Sequence, residues 1–282
     1  MFDRILVPVD GSDCATRAAR LALELADRYG AAVDVVVVAP AADERAADAA
    51  AAGREILSAV AALAEETGGG IDVETHYREG RPAAEITAFA AEHGTDLVVM
   101  GRRGRAGLDE HLLGTVTERV LRGSDVPVLT VASADRPVGA IENVLVTTDG
   151  SENAERAAPY AADLAGQFGA TLHALSVVDV QAAAGVFSAG GVSAEFVERL
   201  EAEAAGATER LVAAGDGADL DVRTEVVQGT PYREIGAYVV DHGVDLVVMA
   251  SEGESSLAGQ HLGSVASRVL RTVTVPVLVV TD

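Results

Sequence analysis

The sequence predicts an α/β protein of two tandem doubly wound domains, each a five-stranded parallel sheet with helices on both faces. Three observations carry that prediction. Short apolar runs alternate with helical segments, the runs are apolar at nearly every position, and the whole pattern occurs twice. Strands apolar on both faces and separated by helices call for a parallel sheet covered on both sides. Right-handed crossovers then place the ligand crevice outside the carboxyl ends of the strands.

The elements of the first half follow in order. Residues 4–9 form an apolar, branched run, and Asp10-Gly11-Ser12 supplies a turn and an N-cap. Apolar residues then recur at helical spacing over residues 13–29, including Ala18, Leu21, Leu25 and Ala26, until Gly30 stops the helix. Residues 33–38 read as a second strand, 44–67 as a long Ala-rich helix, and 71–77 as an alternating third strand. Residues 82–92 read as a helix with Pro82 in its first turn, and 96–100 as the fourth strand. A glycine loop follows, then a helix over 115–122 and a fifth strand over 127–131.

The second half repeats this plan. Ile5-Leu6-Val7-Pro8-Val9-Asp10-Gly11-Ser12 returns as Val144-Leu145-Val146-Thr147-Thr148-Asp149-Gly150-Ser151, an offset of 139. Asp96-Leu97-Val98-Val99-Met100 returns as Asp245-Leu246-Val247-Val248-Met249, an offset of 149, so the second copy has about ten extra residues. They fall near residues 180–192, a Gly/Ala/Ser-rich stretch that reads as a mobile excursion. Units this long are duplicated domains and not solenoid repeats. The domains are 1–132 and 142–282, joined by a linker at 133–141.

Composition narrows the function. The 282 residues carry 44 acidic and 21 basic side chains, all 21 being arginine, for a net charge of -23. Such a surface opposes nucleic acid and anionic membranes. It also suits a cytoplasm of high ionic strength, as in a halophile, because salt relieves self-repulsion. A denaturation midpoint that stayed level between low and molar salt would count against that expectation. One cysteine, Cys14, excludes an intrachain disulfide and fits a reducing compartment. No basic leader precedes the first strand and no apolar run approaches the length of a membrane span, so a cytoplasmic protein is expected. The six histidines (His76, His93, His111, His173, His242 and His261) show no metal-ligand spacing and read as structural.

The motif that carries chemistry is Gly101-x2-Gly104-x9-Gly114-Thr115, directly after the fourth strand. A strand opening into a glycine loop and then a helix is a phosphate cradle: backbone N–H groups approach the anion and the helix start adds unpaired donors. Arg102, Arg103 and Arg105 lie on that loop, where cations favour phosphate. In the second copy Ala250 replaces the first glycine, Gly253, Gly263 and Ser264 follow, and Ser251, Glu252 and Glu254 stand opposite the three arginines. Phosphate therefore favours the first half by on the order of 1–3 kcal/mol, at about one kcal/mol or less per exposed charge. Asp10 and Asp149, at the ends of the first strands, either cap the next helix or face the crevice.

With these residues in place the chain resembles a tandem universal stress protein. The resemblance rests on Val7-Pro8-Val9-Asp10, the glycine motif and the Val-Pro-Val-Leu final strands at 126–129 and 275–278, and it spans both halves. It implies a strand order of 3-2-1-4-5 in each domain and ATP binding in the first. Pro8 matches the family's residue at the end of the first strand, Asp10 would meet the ribose or base, and Val38 would lie against the ring. Gly101, Arg103, Gly104, Gly114 and Thr115 would hold the phosphates, with Mg or Mn bound by them. Asp149, Val177, Gly253, Gly263 and Ser264 would form a second, weaker site.

Catalysis has less support. Without lysine there is no Walker A loop, and neither Gly-x-Ser-x-Gly nor a dinucleotide fingerprint occurs. The expectation is a nucleotide-binding stress-response or signalling protein and not an enzyme, with slow ATP hydrolysis left open. The alternative is a non-nucleotide interaction module acting through sheet edges. The apolar final strands, 126–131 and 275–280, would be unprotected edges unless they pair with each other as an intrachain pseudo-dimer. A homodimer of whole chains is compatible with the sequence.

Overall fold

The computed structural model describes residues 1–40, 46–67, 70–104, 113–132, 140–184, 193–215, 220–253 and 262–281. The chain forms two compact units, Met1–Gly139 together with Pro276–Asp282, and Ala140–Val275. Residues 133–139 of the 133–141 linker, Arg105, His111, Glu254 and His261 lie outside the described residues.

The first unit contains β1 (Arg4–Pro8), α1 (Asp13–Tyr29), β2 (Ala32–Ala39), α2 (Ala46–Thr67), β3 (Val73–Glu79), α3 (Pro82–His93), β4 (Leu97–Gly101), α4 (Thr115–Gly123) and β5 (Val128–Val131). Its strands run β3-β2-β1-β4-β5, all parallel, with Ile5 registered against Val33 on one side and Leu97 on the other. Ile5, Leu6 and Val7 are buried because β1 is central and covered on both faces. The order reverses between β2 and β4, so the crevice of a doubly wound sheet lies at the end of β1.

The second unit contains β6 (Asn143–Thr148), α5 (Glu152–Glu155), α6 (Ala158–Phe168), β7 (Thr171–Val178), α7 (Val180–Ala184), α8 (Ala194–Ala214), β8 (Val222–Gln228), α9 (Pro231–Asp241), β9 (Leu246–Ala250) and α10 (Ser264–Thr272). Its strands run β8-β7-β6-β9, again parallel. The last strand, β10 (Val277–Val280), groups with the first unit. It pairs antiparallel with β5, Leu278 facing Leu129, and the Thr130 hydroxyl donates to the Val277 carbonyl at 3.3 Å. Backbone pairing removes the bare edge that β5 would otherwise present.

Two local differences separate the repeats. Helix α1 is continuous, whereas its counterpart breaks into α5 and α6 around Arg156 and Ala157. Pro159 explains the break, since it has no N–H to donate to the carbonyl four residues back and is tolerated only in a first helical turn. The second difference corrects the expected excursion at 180–192. Residues Val180–Ala184 are the short helix α7, capped where Asp179 Oδ1 accepts from Ala182 N at 2.9 Å. The rest, 185–192, lies outside the described residues.

Towards the amino ends of the strands each unit buries a polar cluster. Asp34, 1% exposed, accepts from Arg4 Nη1 and contacts His76 Nε2, both at 2.8 Å. Sequence spacing hides this set, yet ligand atoms of Asp34, Glu74 and His76 lie within 4.8 Å of one another. The Arg4 guanidinium already compensates Asp34, so the cluster reads as an ion-pair network. In the second unit His173 takes the place of Asp34, and its ring nitrogens contact Tyr238 Oη at 2.9 Å and Asn143 Oδ1 at 3.2 Å. His93 stacks on Phe89 at 3.7 Å and His242 on Tyr238 at 3.8 Å, both structural contacts.

Candidate functional site

In the first unit a cavity of about 530 Å³ opens where β1 and β4 end. All eight sequence-predicted residues, Pro8, Asp10, Val38, Gly101, Arg103, Gly104, Gly114 and Thr115, line it. One wall is apolar: Val36 and Val38 from β2, and Pro82 and Ile86 from the first turns of α3. The opposite wall is the glycine loop and the start of α4. That division suits a ligand with a flat apolar part and an anionic part.

Asp10 sits at the mouth. Its Oδ1 accepts from Ser12 N at 3.0 Å and Ser12 Oγ at 2.6 Å. Ser12, not Asp10, is the N-cap of α1, its oxygen accepting from Ala15 N at 3.3 Å. The carboxylate is thus held in place beside the crevice instead of being absorbed as a cap. Gly104 touches it: a Cβ there would stand 2.5 Å from Asp10 Oδ2 and would push the carboxylate away from the position its bonds to Ser12 give it. Gly114 is the N-cap of α4 and offers no capping side chain, leaving the first-turn N–H groups of α4 toward the cavity. Its own N–H donates to the Arg102 carbonyl at 3.0 Å, which closes the loop at its base.

Two loop residues act differently from the sequence reading. A Cβ on Gly101 would come within 2.8 Å of Ala15 N and Cys14 Cβ. Gly101 therefore lets β4 end tightly against the start of α1, a packing role beside its place in the cavity wall. Arg102 is only 4% exposed and is absent from the described lining. Burial, aided by nearby Arg103 and opposed by Cys14, pulls its guanidinium down to about 10. The cation on the described wall is Arg103.

A second cavity of about 270 Å³ occupies the same place in the second unit, and Asp149, Val177, Gly253, Gly263 and Ser264 all line it. Asp149 repeats the Asp10 geometry, its Oδ1 accepting from Ser151 N at 3.1 Å and Ser151 Oγ at 2.6 Å. Leu175 replaces Val36 and Ala250 replaces Gly101, both adding bulk, and Glu252 replaces Arg103. Sequence reasoning missed the α3 wall. The signal was available, since Pro82, Ile86 and Met100 return as Pro231, Ile235 and Met249 at the 149 offset.

The universal stress protein family pattern matches residues 1–132 and again 140–281. The chain belongs to that family. Among its relatives is a universal stress protein of Mycobacterium tuberculosis, 33% identical over 238 residues, covering 80% of this chain and 76% of the relative. Another, from Methanocaldococcus jannaschii, is 37% identical over 142 residues, covering 46% of this chain and 82% of the relative. The crystal structure of a universal stress protein from Archaeoglobus fulgidus superposes with a TM-score of 0.73 at 26% identity, covering 99% of this chain and 96% of that one. The tandem, parallel-sheet universal stress architecture is thus shared along the whole length.

No helix among the described residues is long and apolar enough to cross a membrane.

Proposed function

We propose that this universal stress protein is a stress-response or signalling protein that captures a nucleotide, ATP, in the cavity of its first unit. The observation that carries the reading is the joining of an apolar slot to a bare-backbone cradle within about 530 Å³, inside the range of small-molecule sites. The base would lie between Val38 and Ile86, and Asp10 would accept from ribose hydroxyls or the base. Gly104, Gly114, Thr115 and Arg103 would meet the phosphates. A divalent ion would arrive with the phosphates and spread their charge, and among the described lining residues Asp10 is the one carboxylate near it.

We read the site as a binder and not a catalyst. Its described lining includes no histidine or cysteine, and its one carboxylate, Asp10, is held by Ser12 through Oδ1. Mass spectrometry of whatever is released when freshly purified protein is denatured tests the first reading. ATP at about one per chain is expected; no nucleotide, with no thermal shift on adding Mg-ATP, would favour an interaction module. Turnover faster than about 1 per second, an ordinary enzyme rate, would overturn the second.

A further inference from the structure

The second cavity is more than a worn copy of the first. At two floor positions it carries hydroxyls where the first unit has none of that kind: Thr147 stands at the place of Pro8, and Ser251 at the place of Arg102. Thr147 is 9% exposed and Ser251 4% exposed. Both line the cavity, and neither side-chain hydroxyl has a hydrogen-bond partner among the described residues. Neither hydroxyl is among the described buried side-chain atoms that lack a partner, so both oxygens remain accessible and open to hydrogen bonds from whatever fills the cavity. Two such residues on the wall of one cavity suit a polar occupant.

The charge of the wall says which kind. The first cavity balances the Asp10 carboxylate with the Arg103 guanidinium. The second has the Asp149 and Glu252 carboxylates and, among the described lining residues, no cation. Carboxylates accept hydrogen bonds and repel phosphate. The volume, about 270 Å³, falls below the usual range for drug-sized ligands.

We propose that the second cavity binds a small molecule rich in hydrogen-bond donors and free of anionic groups, with the chemistry of a polyol or an aliphatic amine. Thr147 and Ser251 exchange hydrogen bonds with it, Asp149 and Glu252 accept from its hydroxyl or ammonium groups, and Ile235 with Val177 packs its carbon frame. The unit pair would then read two unlike signals, an anionic one and a neutral or cationic one. This assignment does not depend on nucleotide capture in the first unit.

Ligand-observed NMR on the full-length protein tests it, with ribose, putrescine and Mg-ATP as separate probes. Ribose or putrescine should bind wild type, and the Thr147→Val/Ser251→Ala pair should weaken that probe at least about fivefold, as expected for lost hydrogen bonds. Mg-ATP binding should not change in that variant. If the double variant fails to fold, Glu252→Arg at the rim serves instead, with loss of putrescine expected. The proposal is overturned if neither ribose nor putrescine binds, if binding ignores these substitutions, or if Mg-ATP titrates at two per chain. Capture of ribose or putrescine with no capture of Mg-ATP would uphold this assignment and sink the nucleotide reading of the first unit.

Discussion

The two cavities are built on the same backbone positions but lined by different side chains. Each lies at the end of the first strand of its repeat, has an aspartate fixed by a serine two residues on, and ends at a glycine N-cap. Against that shared frame the substitutions Val36 to Leu175, Gly101 to Ala250 and Arg103 to Glu252 accompany a cavity about half the size, with its cation replaced by a carboxylate. Frame and lining are thus separable. The backbone supplies the crevice and the aspartate, while a few side chains decide volume and charge.

The sharpest way to break the comparison is at Gly104. Gly104→Val drives a branched side chain into the Asp10 carboxylate, which two bonds to Ser12 hold still. Calorimetric titration should show Mg-ATP affinity falling by about 100-fold or more, with the circular dichroism spectrum retained. Unchanged affinity would remove the cradle from the site.

Next in size is the strand-to-helix contact. Gly101→Val overpacks β4 against the start of α1 and should cost about 1–3 kcal/mol, read as a lower urea midpoint. The reverse change, Ala250→Gly, relieves no clash of that kind. It should shift the midpoint much less, because the second repeat already accommodates a methyl group at this point.

Charge comes third. Exchanging the rim residues, Arg103→Glu in one variant and Glu252→Arg in another, should weaken Mg-ATP at the first cavity by about fivefold, and give the second a measurable affinity. Both effects should shrink as salt is raised. A first cavity indifferent to Arg103→Glu would assign phosphate recognition to backbone groups alone.

The smallest effect lies in the polar clusters at the other ends of the strands. Burial, reinforced by Arg223 and His242, holds His173 below the ordinary histidine range, and burial likewise raises the Tyr238 phenol. Asn143 Oδ1 can only accept, so Nε2 carries the proton and Nδ1 accepts from Tyr238. A histidine lowered on folding adds stability above its unfolded value, about 6.5, and loses it as the pH falls from there. The thermal midpoint should therefore drop between pH 7 and pH 5, and His173→Asn should flatten that slope. An equally steep slope in the variant would place the titrating group elsewhere.

Much of this was readable from residues alone. The helix at Asp13–Tyr29 has the bounds its periodicity gave, and α3 and α4 differ from expectation by one residue at the end. Strand limits moved by one or two residues because pairing with a neighbour, and not composition, decides where a strand ends. The glycine motif fell on the cavity wall, but its spacing could not separate Gly104, which abuts the Asp10 carboxylate, from Gly101, which packs on a helix. Nor could it show that Arg102 turns inward while Arg103 lines the cavity.

By itself the sequence determined the duplication, the alternation of strand and helix, the place of the glycine loop and the charge reversal between the copies. These are local or periodic properties, written in consecutive residues. Tertiary structure alone decided the antiparallel sense and register of the β5–β10 pairing, the apolar wall from α3, the Asp34–His76 contact, and the open hydroxyls of Thr147 and Ser251. Each depends on which distant segments meet and on what water is excluded between them, and burial turns an ordinary serine or arginine into a group with a definite role.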